Sequence, residues 1–405
     1  MIIIFIFAAG WPLAPTDTLH ALGNNWGEYQ EYGGDPYLHP GIDVMGITVG
    51  KPVYAVQDGV VKAWLTTQAV WHWRLAIADY ETTDSVEAWL YAHIDANQYH
   101  KDVGDAVSEG ELIGYLVEWP VTGFDHCHFA RIKDAGAVWQ YADWAFVQNP
   151  LLIIEPYDDT TKPVFENAYG GNKFALCQNN TSNYLQPNNL TGNVDIITKL
   201  YDNTGLPLSY PVWERLIPFK IEYEIHGPQN LPTKLSFIFC GVLNWESNVQ
   251  VIYKDDATCD TRGDYDYRDY YFIVTNTDGD SIIESADANY SWITTDFPDG
   301  DYWVVIAAYD AAGNCQKDSM LVTVDNIGIE EGKNRTTVSP FRIFPNPNNG
   351  NFTVTTKEKI KIFDVSGRLI TSGQGKFSIL KPGIYFVTVE IDNHFYCEKI
   401  VVTKK

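Results

Sequence analysis

Short runs of apolar, β-branched and aromatic residues alternate along the chain with clusters of Gly, Asp, Asn and Pro. Runs of this kind, when turn residues bound them, are typical of β-strands. No apolar stripe with the longer period of a helix competes with them in the first region. The pattern predicts an all-β protein. The strands predicted in the first region are Pro52–Val56, Val60–Leu65, Arg74–Tyr80, Val86–Ile94, Leu112–Val117 and His126–Ile132.

A second β-rich region is predicted for residues 156–327. Its turns at 297–302 and 309–314 resemble turns of immunoglobulin-like or fibronectin-like sandwiches, which implies an immunoglobulin-like β-sandwich for the region. Asp-rich turns at 255–256, 264–266 and 278–280 offer carboxylates that can bind calcium, but none has EF-hand spacing, so solvated turns are the favoured interpretation. The predicted strands are Val194–Leu200, Phe219–Ile225, Leu235–Phe239, Tyr270–Val274, Tyr302–Ala308 and Met320–Val324.

The end of the chain differs from the rest in charge. From residue 339 onward it carries 10 basic and 5 acidic residues, whereas the whole chain has a net charge of −24. A change of sign at a polar segment indicates a module boundary. We therefore predict a linker at 328–340 and a small β-sandwich at 341–405.

The overall charge excludes some functions. Lys and Arg number 28 against 52 Asp and Glu. A chain this acidic repels nucleic acid, and no basic stripe offsets the repulsion. No internal apolar run is long enough for a transmembrane span.

The start of the chain favours an exported protein. Residues 1–12 begin with an apolar run that ends in small residues, which is typical of a partial signal peptide; the alternative is a buried first strand. Export permits disulfides. The pairs Cys240 with Cys259 and Cys177 with Cys315 are possible, but spacing does not decide the connectivity.

Three short motifs in the first region carry candidate chemistry. His39 and Asp43 are four positions apart, His93 ends a predicted strand, and His126 and His128 open another. Alternate side chains of a strand share a face, so both imidazoles of the last motif point the same way. A catalytic zinc ion needs about three N or O ligands and an open position for water. Each motif alone is weak, and together they predict a metal site.

The order of these motifs resembles that of the lysostaphin/LytM-type zinc metallopeptidases. The scaffold is similar as well: residues 49–55 with 58–61, and 103–107 with 110–114, resemble strand pairs of that family. The resemblance spans about 19–133. It implies a LytM-like antiparallel β-domain at residues 13–155.

The resemblance also implies roles for the five residues. His39, Asp43 and His128 would bind one Zn²⁺ per catalytic domain. His93 and His126 would be catalytic beside it, one as general base on the bound water and both as hydrogen-bond donors to the intermediate. The implied substrates are peptide bonds of bacterial peptidoglycan.

The chain departs from that family at two places. Cys127 stands where an apolar residue is usual, and 122–125 is shorter than the usual loop. Strand alternation turns Cys127 away from the site, so packing is favoured over metal binding. Seven tryptophans crowd the first region and fit a substrate groove and core packing equally well; they are Trp64, Trp71, Trp73, Trp89, Trp119, Trp139 and Trp144.

Residues 341–405 contain Phe344-Pro345-Asn346-Pro347, an Asp-Val-Ser-Gly turn at 364–367 and a strand-like ending. This pattern resembles the C-terminal sorting domain of type IX secretion substrates. It implies export through the periplasm by the type IX secretion machinery, to the outer-membrane surface or the medium.

These observations predict a secreted, zinc-dependent endopeptidase that hydrolyses peptidoglycan peptides. The alternative from another class is a non-catalytic surface adhesin or cell-wall-binding protein that retains a metal pocket. A protease for Gly-rich proteins is a second enzyme interpretation.

Overall fold

The computed structural model describes residues 9–32, 34–46, 50–98, 101–243, 248–326, 341–379, 381–391 and 394–403. These residues form two compact units, one up to residue 326 and one from residue 341. The linker predicted at 328–340 and most of the predicted signal peptide lie outside the described residues. None of the helices in the described ranges has the length and apolarity that crossing a bilayer demands.

The first region consists of short strands and three 3-10 helices, Val70–His72, Tyr141–Asp143 and Pro150–Leu152. Every strand predicted there from the sequence is confirmed, with ends that differ by a few residues. The strands are β1 Tyr29–Gln30, β2 Tyr37–Leu38, β3 Ile42–Met45, β4 Pro52–Tyr54, β5 Gly59–Leu65, β6 Arg74–Ala78, β7 Val86–Ala92, β8 Ala106–Val107, β9 Leu112–Tyr115, β10 His126–Asp134 and β11 Ala145–Gln148.

A seven-stranded antiparallel sheet is the frame of this region. Its order is β11-β10-β7-β6-β5-β8, and β3 pairs with the first half of β10. Two small sheets, β4-β9 and β1-β2, accompany it. The strands β6, β7 and β10 are almost wholly buried. β6 and β7 are mostly apolar in sequence, whereas β10 carries His126 and His128 among its apolar residues.

The second region holds one short α-helix, α1 Val249–Ile252, and the 3-10 helices Pro211–Glu214, Ser285–Asn289 and Thr294–Asp296. The predicted strands are again confirmed. They are β12 Val164–Glu166, β13 Phe174–Gln178, β14 Asn193–Tyr201, β15 Lys220–His226, β16 Leu231–Ile238, β17 Arg262–Gly263, β18 Arg268–Asp269, β19 Tyr271–Ile273, β20 Trp292–Ile293, β21 Gly300–Tyr309 and β22 Cys315–Val324.

Two sheets dominate this second region. In one, β14 pairs with β12, β13, β19 and β20; the other has the order β16-β15-β21-β22. Side chains of both sheets, such as Ile196 and Ile306, belong to one hydrophobic core. That core also contains Trp26, Tyr91 and Phe129 of the first region. The boundary at 155/156 and the immunoglobulin-like assignment therefore stay predictions, since both regions share one core.

The second unit has a core of its own around Ile362, Val387 and Ile400. A three-stranded sheet β23-β24-β27 and a four-stranded sheet β26-β25-β28-β29 contribute to it. The strands are β23 Ile343–Phe344, β24 Asn351–Val354, β25 Ile360–Asp364, β26 Leu369–Gly373, β27 Lys376–Ser378, β28 Gly383–Ile391 and β29 His394–Val402.

All six cysteines are free thiols, so neither of the two pairs considered from the sequence is formed. Cys177 and Cys259 instead lie in one buried cluster with Ala175 and Ile197.

Candidate metal centre and catalytic cleft

Strand pairing brings two of the motifs together. The strands β3 and β10 are antiparallel, and their register places Asp43 directly opposite His128. On its other side β10 pairs with β7, so His93, which follows β7, lies near the same end of β10. His39 lies just after β2 and before β3. Residues from four places in the sequence therefore meet at one end of the sheet.

Three side chains converge on a common point. The Nε2 atom of His39 lies 2.9 Å from Nδ1 of His128. The Oδ1 atom of Asp43 lies 3.0 Å from that Nδ1 and 3.3 Å from Nε2 of His39. His39 and Asp43 are 4% and 3% exposed, and the His128 side chain is 14% exposed. This trio is one of two groups of potential metal ligands among the described residues.

Backbone carbonyls orient the rings around this point. The Nδ1 atom of His39 lies 3.1 Å from the Asn25 carbonyl oxygen, and Nδ1 of His126 lies 2.7 Å from that of Phe124. A carbonyl only accepts, so each Nδ1 donates its proton there. In the neutral rings, Nε2 is therefore the atom with a free lone pair, and it faces the site.

His93 and His126 stand beside the trio. Their ring centroids are 4.5 Å apart, and Nε2 of His126 lies 3.5 Å from Oδ2 of Asp43. The Nδ1 atom of His93 contacts the Trp71 carbonyl oxygen. His93 has a backbone φ of 66°, which is uncommon for a residue other than glycine and marks a backbone held by its surroundings.

Burial and mutual charge set the protonation of the group. Burial, reinforced by His126 and the other imidazoles, lowers the pKa of His93 well below its usual value. Burial also lowers the pKa of His128, to about 4. Burial acts against the charged forms of Asp43 and His39 too, but the imidazoles hold the pKa of Asp43 well below its usual value, and Asp43 raises that of His39.

Two further residues shape the site without standing out in the sequence. Asn24 donates from Nδ2 to Oδ2 of Asp43 at 2.5 Å, which leaves Oδ1 turned toward the two ligand imidazoles. Gly41 lets β10 approach closely, because a Cβ atom there would lie 2.6 Å from Cε1 of His128 and 2.9 Å from the Phe129 carbonyl oxygen.

The histidines and Asp43 line a cleft of about 330 Å³. Arg74 and Tyr141 line it from the first region, with the guanidinium carbon 3.8 Å from the tyrosine ring centroid. Tyr265, from the second region, lines it as well and accepts a hydrogen bond of 2.9 Å from Nε1 of Trp119. Sequence reasoning missed Tyr265, since nothing in the local sequence shows that the second region reaches the cleft.

The tryptophans differ in where they lie. Trp119 lines the cleft, whereas Trp89 is 2% exposed and stacks on Phe129 in the core. Cys127 is fully buried in that core, on the face of β10 opposite His126 and His128, and burial raises the pKa of its thiol.

The donor set suits a transition-metal ion with an open site. Two imidazole nitrogens and a carboxylate oxygen are ligands that zinc accepts. Donors that share one zinc ion at ~2.0–2.1 Å in a tetrahedron lie about 3.3 Å apart. The three observed separations of 2.9 to 3.3 Å are close to that value. His39, Asp43 and His128 are therefore a candidate metal-binding group.

Comparison with known proteins gives one family match. Residues 342–403 match the secretion system C-terminal sorting domain. The sorting domain predicted at 341–405 is confirmed. This domain indicates export of the chain to the cell surface or into the medium, as predicted.

Part of the chain is similar in sequence to a curated peptidase. Over 178 residues it is 28% identical to glycyl-glycine endopeptidase ALE-1 of Staphylococcus capitis, a match that covers 42% of this chain and 45% of that protein. The chain thus spans less than half the length of this relative.

Solved structures show weaker likenesses. The antimicrobial peptidase lysostaphin from Staphylococcus simulans is 14% identical, with 54% of this chain and 98% of that chain covered and a TM-score of 0.23. A zinc-containing peptidase from Vibrio cholerae is 17% identical, with 28% and 36% covered and a TM-score of 0.18. TM-scores this low do not establish a shared fold. The chain thus carries a secretion system C-terminal sorting domain and is similar in sequence, over 178 residues, to a glycyl-glycine endopeptidase.

Proposed function

We propose that the protein is a secreted metallopeptidase that hydrolyses peptide bonds of bacterial peptidoglycan. In this proposal His39, Asp43 and His128 bind one zinc ion, and His93 and His126 are catalytic. The observation that carries it is the convergence of three donor atoms within 2.9 to 3.3 Å of one another, beside two further imidazoles in one cleft.

A zinc ion held by His39, Asp43 and His128 would lower the pKa of a coordinated water toward ~7 and polarise a substrate carbonyl.

The remaining steps belong to the chain's own side chains. Nε2 of His126 faces the trio with a free lone pair in the neutral ring, so it accepts the proton of the attacking water. Once it has taken up that proton, His126 can donate the Nε2–H to the oxyanion. His93, in ring contact with His126 and 6.0 Å by centroids from His128, donates its Nδ1–H to the Trp71 carbonyl oxygen, so its Nε2 is also a proton acceptor in the neutral ring. Either ring can therefore act as the base, and the ring that has taken up the proton donates to the oxyanion.

The cleft wall supplies binding groups. Arg74, Tyr141 and Tyr265 present one cation and two phenol rings around the site. Such groups suit a peptide, because they offer hydrogen bonds to carbonyl oxygens and flat surfaces to its backbone. Similarity to a glycyl-glycine endopeptidase makes a Gly–Gly cross-bridge the first bond to test.

The test is incubation of purified peptidoglycan with the full chain, loaded with one equivalent of zinc. Mass spectrometry of the released fragments then identifies new peptide ends. We expect cleavage that stops on chelation and returns with zinc. Binding to the wall without new ends would support the adhesin interpretation, and cleavage confined to Gly-rich proteins would support the second enzyme interpretation.

Two variants make the result specific. His126→Ala should abolish fragment release, whereas His226→Ala, which removes an exposed histidine paired with Glu224, should leave it unchanged. Equal loss in both variants would contradict the proposed role of His126.

A further inference from the structure

A second cluster of acidic side chains is buried away from the cleft. Asp159 lies in the segment before β12, Asp202 directly follows β14, and Asp310 directly follows β21. The three residues are 5%, 2% and 2% exposed. One oxygen atom of each lies within 4.8 Å of the others.

Hydrogen bonds satisfy only part of this cluster. Oδ1 of Asp159 accepts from the backbone N and the hydroxyl of Thr161, and both oxygens of Asp310 accept from Asn314. Two buried atoms, Oδ2 of Asp159 and Oδ1 of Asp202, have no hydrogen-bond partner. Buried polar atoms are nearly always paired, so an unpartnered carboxylate oxygen on each of two residues indicates a missing partner.

A cation is the kind of partner that the surrounding residues do not supply. The charged groups that act on Asp202 are the other two carboxylates, and within the described ranges no ion pair links the three residues to Lys, Arg or His. Burial, and then Asp310 and Asp159, raise the pKa of Asp202 well above its usual value. Gathering like charges away from water is costly unless a cation compensates them.

The kind of ligand atom indicates which cation would bind. All the candidate donors are oxygen atoms, which suit hard cations rather than zinc. Calcium accepts six to eight oxygen ligands at ~2.3–2.6 Å, so two carboxylates bound to it lie up to about 5 Å apart. Magnesium keeps several waters and demands a stricter octahedron, which a buried site with little access to solvent disfavours.

We propose that Asp159, Asp202 and Asp310 form a structural calcium site. β14 and β21 belong to the two different sheets of the second region, and Asp159 belongs to the segment that enters it from the first region. The ion therefore links both sheets and the entering segment at one point. Export of the chain places the site where calcium is available.

The test uses the full chain, freed of metal and then given one equivalent of zinc so that the cleft site is filled. Calorimetric titration with CaCl₂ should show one calcium ion bound per chain. Calcium at a hundredfold excess over Kd should raise Tm by about 5 °C, and magnesium should raise it less. No calcium binding, or an equal or larger response to magnesium, would overturn the assignment.

Variants separate this site from general charge effects. Asp202→Asn should raise Tm without calcium, because it removes one buried charge, and should abolish the calcium response. Asp310→Asn should abolish the response as well. Asp296→Asn removes an exposed charge of the same unit and should leave binding intact. Calcium binding that survives in Asp202→Asn would contradict the proposal, whatever the outcome of the peptidoglycan experiment.

Discussion

At the scale of single residues, each of the four imidazoles of the candidate site has one nitrogen that faces the site, and in three of them the other nitrogen contacts a backbone carbonyl. His39, His93 and His126 contact the carbonyl oxygens of Asn25, Trp71 and Phe124. Such contacts select the tautomer and the ring orientation. In the proposal, the neighbours of each ring decide whether the histidine binds the metal or acts in catalysis.

The first prediction separates metal binding from catalysis. His39→Ala should lose bound zinc and all activity, because it removes one of three ligands. His126→Ala should keep one zinc per chain and lose activity by about 10²–10⁴-fold, the usual effect of a general acid or base. Zinc content by atomic emission and hydrolysis rates on the same samples measure both. Loss of zinc from His126→Ala would show that the roles are wrongly divided.

The second prediction concerns the residue that orients Asp43. Asn24→Ala removes the hydrogen bond to Oδ2, so we expect zinc affinity to fall by about 10–100-fold, as for other residues that hold a metal ligand. Competition with a fluorescent chelator measures the affinity. The exposed Asn97→Ala is the control. Unchanged affinity in Asn24→Ala would mean that Asp43 is held by the strand pairing alone.

At the scale of elements, the site depends on the position of β10 between β3 and β7. The alternating pattern was enough to predict β7 and β10 and to place His126 and His128 on one face. It did not predict β3, a short strand within the His39–Asp43 motif, nor its register with β10. Pairing between strands so distant in sequence depends on the whole sheet, and no local pattern records it.

The third prediction tests the close approach of β10 to Gly41. Gly41→Ala places a Cβ atom against the His128 ring and the Phe129 carbonyl. Such overpacking costs about 1–3 kcal/mol, so we expect lower stability together with weaker zinc binding. Gly34→Ala is the matched control, since no atom lies within 4 Å of its Cβ position. Chemical denaturation measures the free energy of unfolding of both variants. Equal values for Gly41→Ala and Gly34→Ala would show that β10 can move away from Gly41 without cost.

At the scale of the whole molecule, the second region supports the cleft. Arg268 and Glu28, both fully buried, form an ion pair of 3.6 Å between the regions. Arg268 also donates hydrogen bonds to the carbonyl oxygens of Gly23 and Trp213, and Gly23 precedes Asn24 in the cleft wall. The sequence did not predict this support, because compositional boundaries show neither a shared core nor a buried ion pair.

The fourth prediction concerns this ion pair. Arg268→Met leaves Glu28 buried without its cation, so stability should fall by about 3–5 kcal/mol. Adding Glu28→Gln should recover part of the loss. Arg262→Met, which removes an exposed pair with Asp260, should change stability little. Urea unfolding monitored by tryptophan fluorescence measures all four proteins; no recovery in the double variant would contradict the electrostatic explanation.

The fifth prediction concerns truncation. A fragment of residues 13–155 loses the contacts of Asn149 with Phe239 and of Gly27 with Tyr253, and it exposes part of the shared core. We expect it to unfold at a lower temperature than a chain ending at residue 327, which should melt in a single transition. Differential scanning calorimetry compares them. Equal melting temperatures would show that the first region is an independent domain.

The central claim, that His39, Asp43 and His128 share one metal ion, is tested most directly by a crystal structure of the zinc-loaded protein measured at the zinc absorption edge. The account predicts one anomalous peak within bonding distance of Nε2 of His39, Oδ1 of Asp43 and Nδ1 of His128, with His93 and His126 nearby but unbonded. No peak there, or a peak bonded to His126 in place of one of the three, would contradict it.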